Sequence, residues 1–196
     1  MATSPLVKLC RFFPKKIMTN SHSFAMIYLI INQSSIKYIM KTKIDHPGVY
    51  IPPPLLYVVI FLLSVYIQKL FPLTSLFFKT SIAFILGILF AIIGLIILIP
   101  AVVKFFKTKN TLITIKPANS LQTTGIYSIT RNPMYLGLLN IYTGIAFFKG
   151  NWWTLMLIPI VILTITYLVI LKEEKYMARA FGNLYVEYSK NVRRWI

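Results

Sequence analysis

The stretch TGIYSITRNPMY, which begins at Thr124, places polar and aromatic groups between two long apolar runs. Gly125 allows a backbone conformation that a side chain would block, and a proline in the first turn of a helix loses no hydrogen bond. We therefore predict a loop that leads into a helix start, where free N–H groups favour an anion. Arg131 would add a positive charge, while Tyr127 and Tyr135 can stack on a ring or donate a hydrogen bond. Taken singly, tyrosines also anchor membrane proteins, and an arginine before a span also sets topology.

Two adjacent glutamates, Glu173 and Glu174, follow the last apolar run and make up half of the four acidic residues in the chain. Adjacent positions on a helix point about 100° apart, so the two carboxylates cannot face one ligand in the same way. We expect one to face a pocket and the other to pair with Lys172, Lys175 or Arg179. The alternative interpretation is a solvated helix end.

The overall composition indicates a membrane protein. Of the 196 residues, 57% are hydrophobic, and four acidic residues stand against 21 lysines and arginines. A net charge of +17 would also suit a nucleic-acid partner, but such a partner needs a basic face on a soluble domain, and here apolar blocks separate the basic residues. We therefore expect no nucleic-acid partner. One cysteine and two histidines, with so few carboxylates, also argue against a bound metal.

Four apolar runs have about the length that a membrane-crossing helix needs. They are residues 55–71, 81–103, 134–148 and 152–171. The third run is short, and the residues Lys149 to Asn151 join it to the fourth as a tight antiparallel hairpin, with Trp152 and Trp153 as interface anchors. The predicted fold class is an all-α integral membrane protein with about four transmembrane helices and a C-terminal amphipathic interfacial helix.

The basic residues lie on one side of this arrangement. Eighteen precede the first run, lie in the loop from Lys104 to Pro133, or follow the last run, and three lie elsewhere. Because positive charge accumulates on the cytoplasmic side, we predict a multi-pass protein whose two termini and long central loop are cytoplasmic.

The two ends of the chain differ in character. Residues 175–196 carry aromatic and aliphatic side chains at mostly helical spacing with basic residues between them, which predicts a helix lying on an anionic membrane surface or covering a pocket. Residues 1–39 are interpreted either as a disordered N-terminal extension or as the result of a mis-assigned start, with translation beginning at Met40. Residues 40–196 then form the membrane domain.

Two segments carry a resemblance to a known family. The stretch TTGIYSITRNPMYLG and, one hairpin later, LKEEKYMARAFGNLYVEYSKNVRRWI resemble the integral-membrane methyltransferases that include isoprenylcysteine carboxyl methyltransferase and the phospholipid N-methyltransferases. The family pattern is Gly-x-Tyr-x-x-x-Arg-His-Pro-x-Tyr, a hydrophobic hairpin, a Glu-Glu pair and a Phe-Gly-x-x-Tyr-x-x-Tyr tail. The resemblance covers about residues 110–196, and DHPGVYIPPPLLY is more loosely similar to the start of bacterial members.

The resemblance implies a methyltransferase that uses S-adenosylmethionine at the cytosolic interface. It implies catalytic roles for Arg131 and Glu173. The implied cofactor contacts are Asn119, Ser120, Leu121, Gln122, Tyr127, Asn132, Pro133, Met134, Tyr135, Glu173 and Glu174. Asn132 departs from the pattern, because the family has histidine there, and an amide can donate and accept hydrogen bonds but does not titrate near neutrality.

The expected acceptor is a lipid-like molecule, with carboxyl O-methylation preferred because a carboxylate is already ionised and needs no base. Phospholipid amine N-methylation is the alternative, since an amine must first lose a proton and only the glutamates can take it. Two further interpretations stay open, an NADPH-dependent membrane reductase of sterol type, whose C-terminal pattern is similar, and a catalytically degenerate membrane scaffold, which Asn132 motivates.

Overall fold

The structure is a computed structural model that describes residues 47–108 and 120–196. Over these residues the chain is helical and contains no strand. The predicted extension at residues 1–39, Asn119 and most of the first half of the central loop lie outside the described residues.

The first two helices, α1 (Pro53–Leu70) and α2 (Ser81–Lys107), are long and apolar enough to cross a membrane. α1 begins on a proline, and the Thr80 side chain caps α2 by accepting a hydrogen bond from the Ala83 N–H at 3.3 Å. Only 22% of the most apolar window of α1 and 17% of that of α2 are buried, so most of their apolar side chains point outward. Against the predicted 55–71 and 81–103, α1 lies slightly earlier and α2 continues to Lys107.

The remaining helices follow the central loop. They are α3 (Pro133–Lys149), α4 (Trp152–Met156), α5 (Ile158–Ile165), α6 (Leu171–Phe181) and α7 (Asn183–Asn191). α3 extends the predicted 134–148 by one residue at each end. Over the predicted span 152–171 the chain is helical but interrupted: the helix breaks at Leu157, just before Pro159, whose ring lacks an N–H, and it widens into a π-helical turn at Thr166–Ile170. Among the described residues, α1 and α2 are the two helices that meet the length and apolarity of a span.

The end of the bundle away from α6 is closed by tryptophans. The Trp152 indole N–H donates to the Thr74 carbonyl at 3.0 Å, and the Trp153 indole N–H donates to the Phe71 carbonyl at 2.9 Å. Gly150 ends α3 in the left-handed conformation with φ of 64°, which confirms the predicted tight connection. The two indoles thus tie this connection to the loop between α1 and α2.

The predicted single C-terminal helix over 175–196 is wrong. Gly182, with φ of 55°, separates α6 from α7, because a backbone conformation with positive φ is open mainly to glycine. After α7 the chain becomes extended at Val192, and residues 192–196 return to the start of α3. Leu184 on α7 is 68% exposed and faces away from the bundle.

Glycines bring α2 and α3 into direct backbone contact. A Cβ atom added to Gly94 would lie 2.8 Å from the Gly137 carbonyl oxygen, and one added to Gly137 would lie 3.0 Å from the Gly94 carbonyl oxygen. Further along the same interface, a Cβ atom on Gly144 would lie 2.9 Å from the Gly87 carbonyl oxygen. Small residues allow such close approach between helices in membranes, so this contact fixes α3 against α2.

Gly94→Val is expected to lower the free energy of unfolding by about 2 kcal/mol or more, because the two helices must separate to admit the side chain. Thermal unfolding in detergent measures this change. The matched control is Leu95→Val, at a neighbouring side chain that is 46% exposed and can shrink at little cost. Equal melting temperatures for the two variants would contradict the close contact.

Candidate active site

A cleft lies between the start of α3, the end of α2, and helices α6 and α7. It encloses about 960 Å³ of empty space, its open mouth included. The predicted site residues that line it are Ser120, Leu121, Gln122, Tyr127, Arg131, Asn132, Pro133, Met134, Tyr135, Glu173 and Glu174. Asn119, the remaining predicted site residue, lies outside the described residues.

The predicted loop and helix start form one wall of the cleft. Gly125, with φ of 70°, opens a short 3₁₀ turn, Gly125–Ser128, and Pro133 occupies the first turn of α3, so both predictions for this stretch are confirmed. The first backbone hydrogen bond of α3 runs from Leu136 to Asn132. Met134 and Tyr135 line the cleft, and their N–H groups have no acceptor within their own helix, as is usual at a helix start, where an anion can bind.

Glu173 reaches the cleft from α6 and meets α3. Its Oε1 accepts a hydrogen bond from the Tyr135 hydroxyl at 2.8 Å. Removal from water raises the pKa of Glu173 to about 7, the Tyr135 hydrogen bond opposes this rise, and the nearby charge of Glu174 adds to it. A carboxyl group of this kind is present in both protonation states near neutral pH, as a general acid or base requires.

Glu174 faces two arginines from outside its own helix. The Arg194 Nε and Nη2 atoms donate to its two carboxylate oxygens at 2.9 and 2.7 Å, and Arg131 Nη1 lies 3.3 Å from Oε1. Arg131 also donates to the Tyr185 hydroxyl at 3.3 Å. The predicted partners, Lys172, Lys175 and Arg179, form no ion pair with Glu174, because the returning C-terminal segment brings Arg194 to it instead. The two glutamates therefore differ: Glu174 is neutralised by arginine, and Glu173 is not.

The Asn132 side chain is bonded to the C-terminal segment of the protein, although the residue lines the cleft. Its Nδ2 donates to the Arg194 carbonyl at 2.9 Å, and its backbone N–H donates to the Thr130 hydroxyl at 3.2 Å. An amide makes this contact without a change of protonation.

Tyr127 offers a donor that the described residues leave unused. Its backbone carbonyl accepts a hydrogen bond from the Tyr188 hydroxyl at 2.6 Å, while its own buried hydroxyl has no hydrogen-bond partner among the described residues. Burial raises the pKa of Tyr127, with smaller contributions from Tyr188 and Glu173, so the hydroxyl stays a neutral donor. A buried polar atom without a partner on the wall of a cleft is where a polar ligand can bind.

Several lining residues were not among the predicted site residues. They are Pro47, Phe105, Tyr176, Met177, Tyr185 and Tyr188. The last four belong to the amphipathic tail. The alternative in which the tail covers a pocket therefore already indicated that tail residues line the cleft. Pro47 lies in the stretch DHPGVYIPPPLLY, which is loosely similar to the start of bacterial members, while nothing in the sequence pattern indicates Phe105. Over the described ranges, no three His, Cys, Asp or Glu side chains gather as a metal site would require.

The cleft and its surroundings define a class of protein: a helical protein with two long helices apolar on their outer faces and an aromatic, glutamate-bearing pocket beside a helix start. A family model described as phospholipid methyltransferase matches residues 82–184, which is more than half of the chain. The chain therefore belongs to this family of integral-membrane methyltransferases, and the resemblance in the sequence is confirmed.

One relative adds to this comparison. A Haemophilus influenzae protein, named only as uncharacterized, is 38% identical over 63 residues, which is 32% of this chain and 100% of that protein. No solved structure matches the chain significantly.

Proposed function

We propose that the protein transfers a methyl group from S-adenosylmethionine to a lipid-like acceptor at the membrane surface. The observation that carries the proposal is the meeting of Tyr127, Tyr135 and Glu173 in one cleft beside the start of α3. Family membership supports methyl transfer, and the cleft has the donors and acceptors that this cofactor needs.

The charges of the cofactor fit the groups that the cleft leaves unpaired. S-adenosylmethionine supplies an electrophilic methyl group on a positive sulfonium and also carries an ammonium, a carboxylate and an adenine ring. Glu173 is the carboxylate not neutralised by arginine and suits a positive group, while the N–H groups of Met134 and Tyr135 suit the carboxylate. The free hydroxyl of Tyr127 can donate to a polar group of the ligand. Arg131, which the sequence suggested as an added positive charge at the helix start, is already bonded to Glu174 and Tyr185.

For the acceptor, the cleft favours an amine over the carboxylate that the sequence preferred. A carboxylate acceptor needs a cation, and Arg131, the basic residue among those lining the cleft, already faces Glu174. An amine acceptor needs a base to take its proton, and Glu173 has a pKa of about 7, near the operating pH that general-base catalysis favours. Aromatic rings at the cleft also attract a cationic headgroup. We therefore propose phospholipid-type amine N-methylation, with carboxyl O-methylation as the alternative that the same assay tests.

We propose that the bundle crosses the membrane four times, with α3 and the interrupted segment α4–α5 forming the second hairpin and the cleft at the cytoplasmic face. The outward apolar faces of α1 and α2 support contact with lipid, since soluble proteins rarely expose such large apolar surfaces. Among the described residues, most lysines and arginines lie at the end of α2, directly before α3, or from α6 onward, the elements that form the cleft, and this supports a cytoplasmic location of both termini. In this placement a lipid headgroup reaches the cleft while its chains stay in the bilayer.

Calorimetry with S-adenosylmethionine on the detergent-solubilised protein tests the proposal. Micromolar binding is expected, and Glu173→Gln is expected to weaken it by about tenfold, because an amide gives up the charge that meets the cationic ligand. The matched control is Glu187→Gln, which neutralises an exposed carboxylate on α7 and is expected to leave binding unchanged. Tight binding of NADPH alone would favour the reductase, and no binding of either ligand to folded protein would favour the scaffold.

A further inference from the structure

Residues 192–196, here named the C-terminal clasp, bind the residues that lead into α3. The Arg193 carbonyl accepts a hydrogen bond from the Arg131 N–H at 3.0 Å. The Arg194 carbonyl accepts two more, from the Thr130 hydroxyl at 3.2 Å and from the Asn132 amide at 2.9 Å. Three consecutive residues before α3 are therefore bonded to two consecutive residues of the clasp.

The clasp also binds α6 through the Arg194 side chain. Its guanidinium forms two parallel hydrogen bonds to Glu174, at 2.9 and 2.7 Å, and Arg131 lies 3.3 Å from the same carboxylate. Paired hydrogen bonds of this kind fix orientation as well as distance. Arg194 thus joins the start of α3, which carries Tyr135, to the helix that carries Glu173.

Trp195 anchors the clasp on its other side. Its indole N–H donates to the Thr166 hydroxyl at 3.2 Å, and its ring packs against the buried core of the bundle. Thr166 begins the π-helical turn Thr166–Ile170, directly before α6. Arg194 is consequently held between two fixed neighbours rather than free at a mobile end of the chain.

Through Glu174, the ion pair with Arg194 affects the site residue Glu173. Glu174 is the direct neighbour of Glu173, and its charge acts on the Glu173 carboxyl group. Removing one partner of a partly buried ion pair leaves the other charge uncompensated. Without Arg194, the negative charge of Glu174 would be shared with Arg131 alone and would act more strongly on Glu173.

We propose that Arg194 is a positioning residue of the cleft, which sets the start of α3 and the Glu173 carboxylate in the arrangement that binds the cofactor. The proposal rests on the proposed function. Arg194 acts through Glu174 and residues 130–132 and does not itself line the cleft.

Other charged and titratable groups surround Glu173 as well, and none of them is itself replaced when Arg194 is changed. From the loop, α3, α6 and α7 they are Tyr127, Arg131, Tyr135, Glu174, Tyr176, Tyr185 and Tyr188. A change in the pH dependence of binding on replacing Arg194 therefore reports the loss of its charge beside Glu174.

The test compares Arg194→Ala with Arg194→Lys and with Arg179→Ala, which removes an exposed guanidinium from α6 as the matched control. The readouts are the Kd for S-adenosylmethionine and the pH midpoint of that binding. Arg194→Ala is expected to weaken binding by about tenfold and to move the midpoint to higher pH, because uncompensated Glu174 favours the protonated form of Glu173. Arg194→Lys is expected to restore part of the loss, since an ammonium cannot make the paired contact.

A double variant separates charge from simple packing. Adding Glu174→Gln to Arg194→Ala removes the uncompensated charge, so the midpoint is expected to return to or below that of the wild type. A purely structural role for Arg194 would leave the midpoint unmoved in both variants. If Arg194→Ala fails to fold, Arg194→Gln carries the same test because it also removes the charge, and wild-type affinity and midpoint in folded Arg194→Ala or Arg194→Gln overturn the proposal.

Hydrogen exchange distinguishes failure of this proposal from failure of the proposed function. The Arg131 N–H donates to the clasp, so it is expected to exchange faster in Arg194→Ala than in Arg179→Ala. If the wild type does not bind S-adenosylmethionine, the proposed function fails and the role of Arg194 in binding fails with it, while faster exchange still demonstrates the clasp. Equal exchange in the two variants overturns the clasp whatever the ligand.

Discussion

Glu173→Gln is expected to lower methyl transfer to an amine acceptor by about a hundredfold, because a positioned general base contributes about that much or more to the rate. Glutamine keeps the size of the side chain, and its carbonyl oxygen can still accept the hydrogen bond that Tyr135 donates at 2.8 Å. It cannot take a proton from the acceptor. The variant therefore removes the base while leaving the wall of the cleft in place.

Transfer of a labelled methyl group to lipid in mixed micelles measures this loss, with amine and carboxylate acceptors compared under saturating S-adenosylmethionine. Saturation matters because Glu173→Gln also weakens cofactor binding. The control Glu187→Gln, on an exposed part of α7, is expected to turn over like the wild type. A large loss with the amine and a small one with the carboxylate assigns Glu173 as the base. Unchanged turnover with both acceptors would remove Glu173 from the site.

The local part of the site could be predicted from the sequence. Gly125 and Pro133 each impose a backbone conformation on their own, so the loop and the helix start follow from the residues themselves. The family pattern places a Glu-Glu pair one hydrophobic hairpin later, and this identifies Glu173 as a further site residue. Every predicted site residue that the structure describes lines the cleft, and the chemical roles of these residues stay predictions.

The partner of Glu174 could not be predicted in this way. Arg194 lies 20 residues away, and it reaches Glu174 because Gly182 breaks the tail and residues 192–196 turn back. The helical spacing of apolar residues continues across Gly182, so the sequence pattern does not reveal the break. The tail was therefore predicted as one interfacial helix. The basic residues one helical turn away were the more obvious partners, since neighbours along a helix commonly pair.

Prediction of the helices from the apolar runs had a similar limit. Hydropathy finds residues that avoid water, and it placed α1, α2 and α3 within a few residues of their true bounds. It does not report helix continuity. Pro159 and the π-helical turn Thr166–Ile170 interrupt the fourth run, and the wide turn precedes the helix that carries Glu173. Such turns are frequent near functional sites, where they redirect the side chains that follow.

Affinity for S-adenosylmethionine is expected to rise with pH up to about 7 and then to level off. In the free protein, burial raises the pKa of Glu173 from 4.5 to about 7, so below that pH the neutral form dominates. A positive ligand favours the carboxylate, and binding must then displace a proton. Affinity should therefore fall as the pH drops below 7 and level off at about a tenfold loss, the same loss that is expected for the neutral side chain of Glu173→Gln. Calorimetry in buffers of different ionisation enthalpy measures the released proton directly, and Glu173→Gln is expected to show neither the slope nor the release.

The stability of the ligand-free protein is expected to change in the opposite direction. Between pH 4.5 and about 7 the folded state binds more protons at Glu173 than the unfolded state does, because its pKa is the higher of the two. This contribution to stability is complete below pH 4.5, decreases as pH rises and is lost above about 7. The melting temperature of the wild type should thus fall through this window relative to that of Glu173→Gln, which has no carboxyl group to ionise. Parallel curves for the two proteins would mean that Glu173 is not held in the neutral form, and the pH dependence of binding would then need another group.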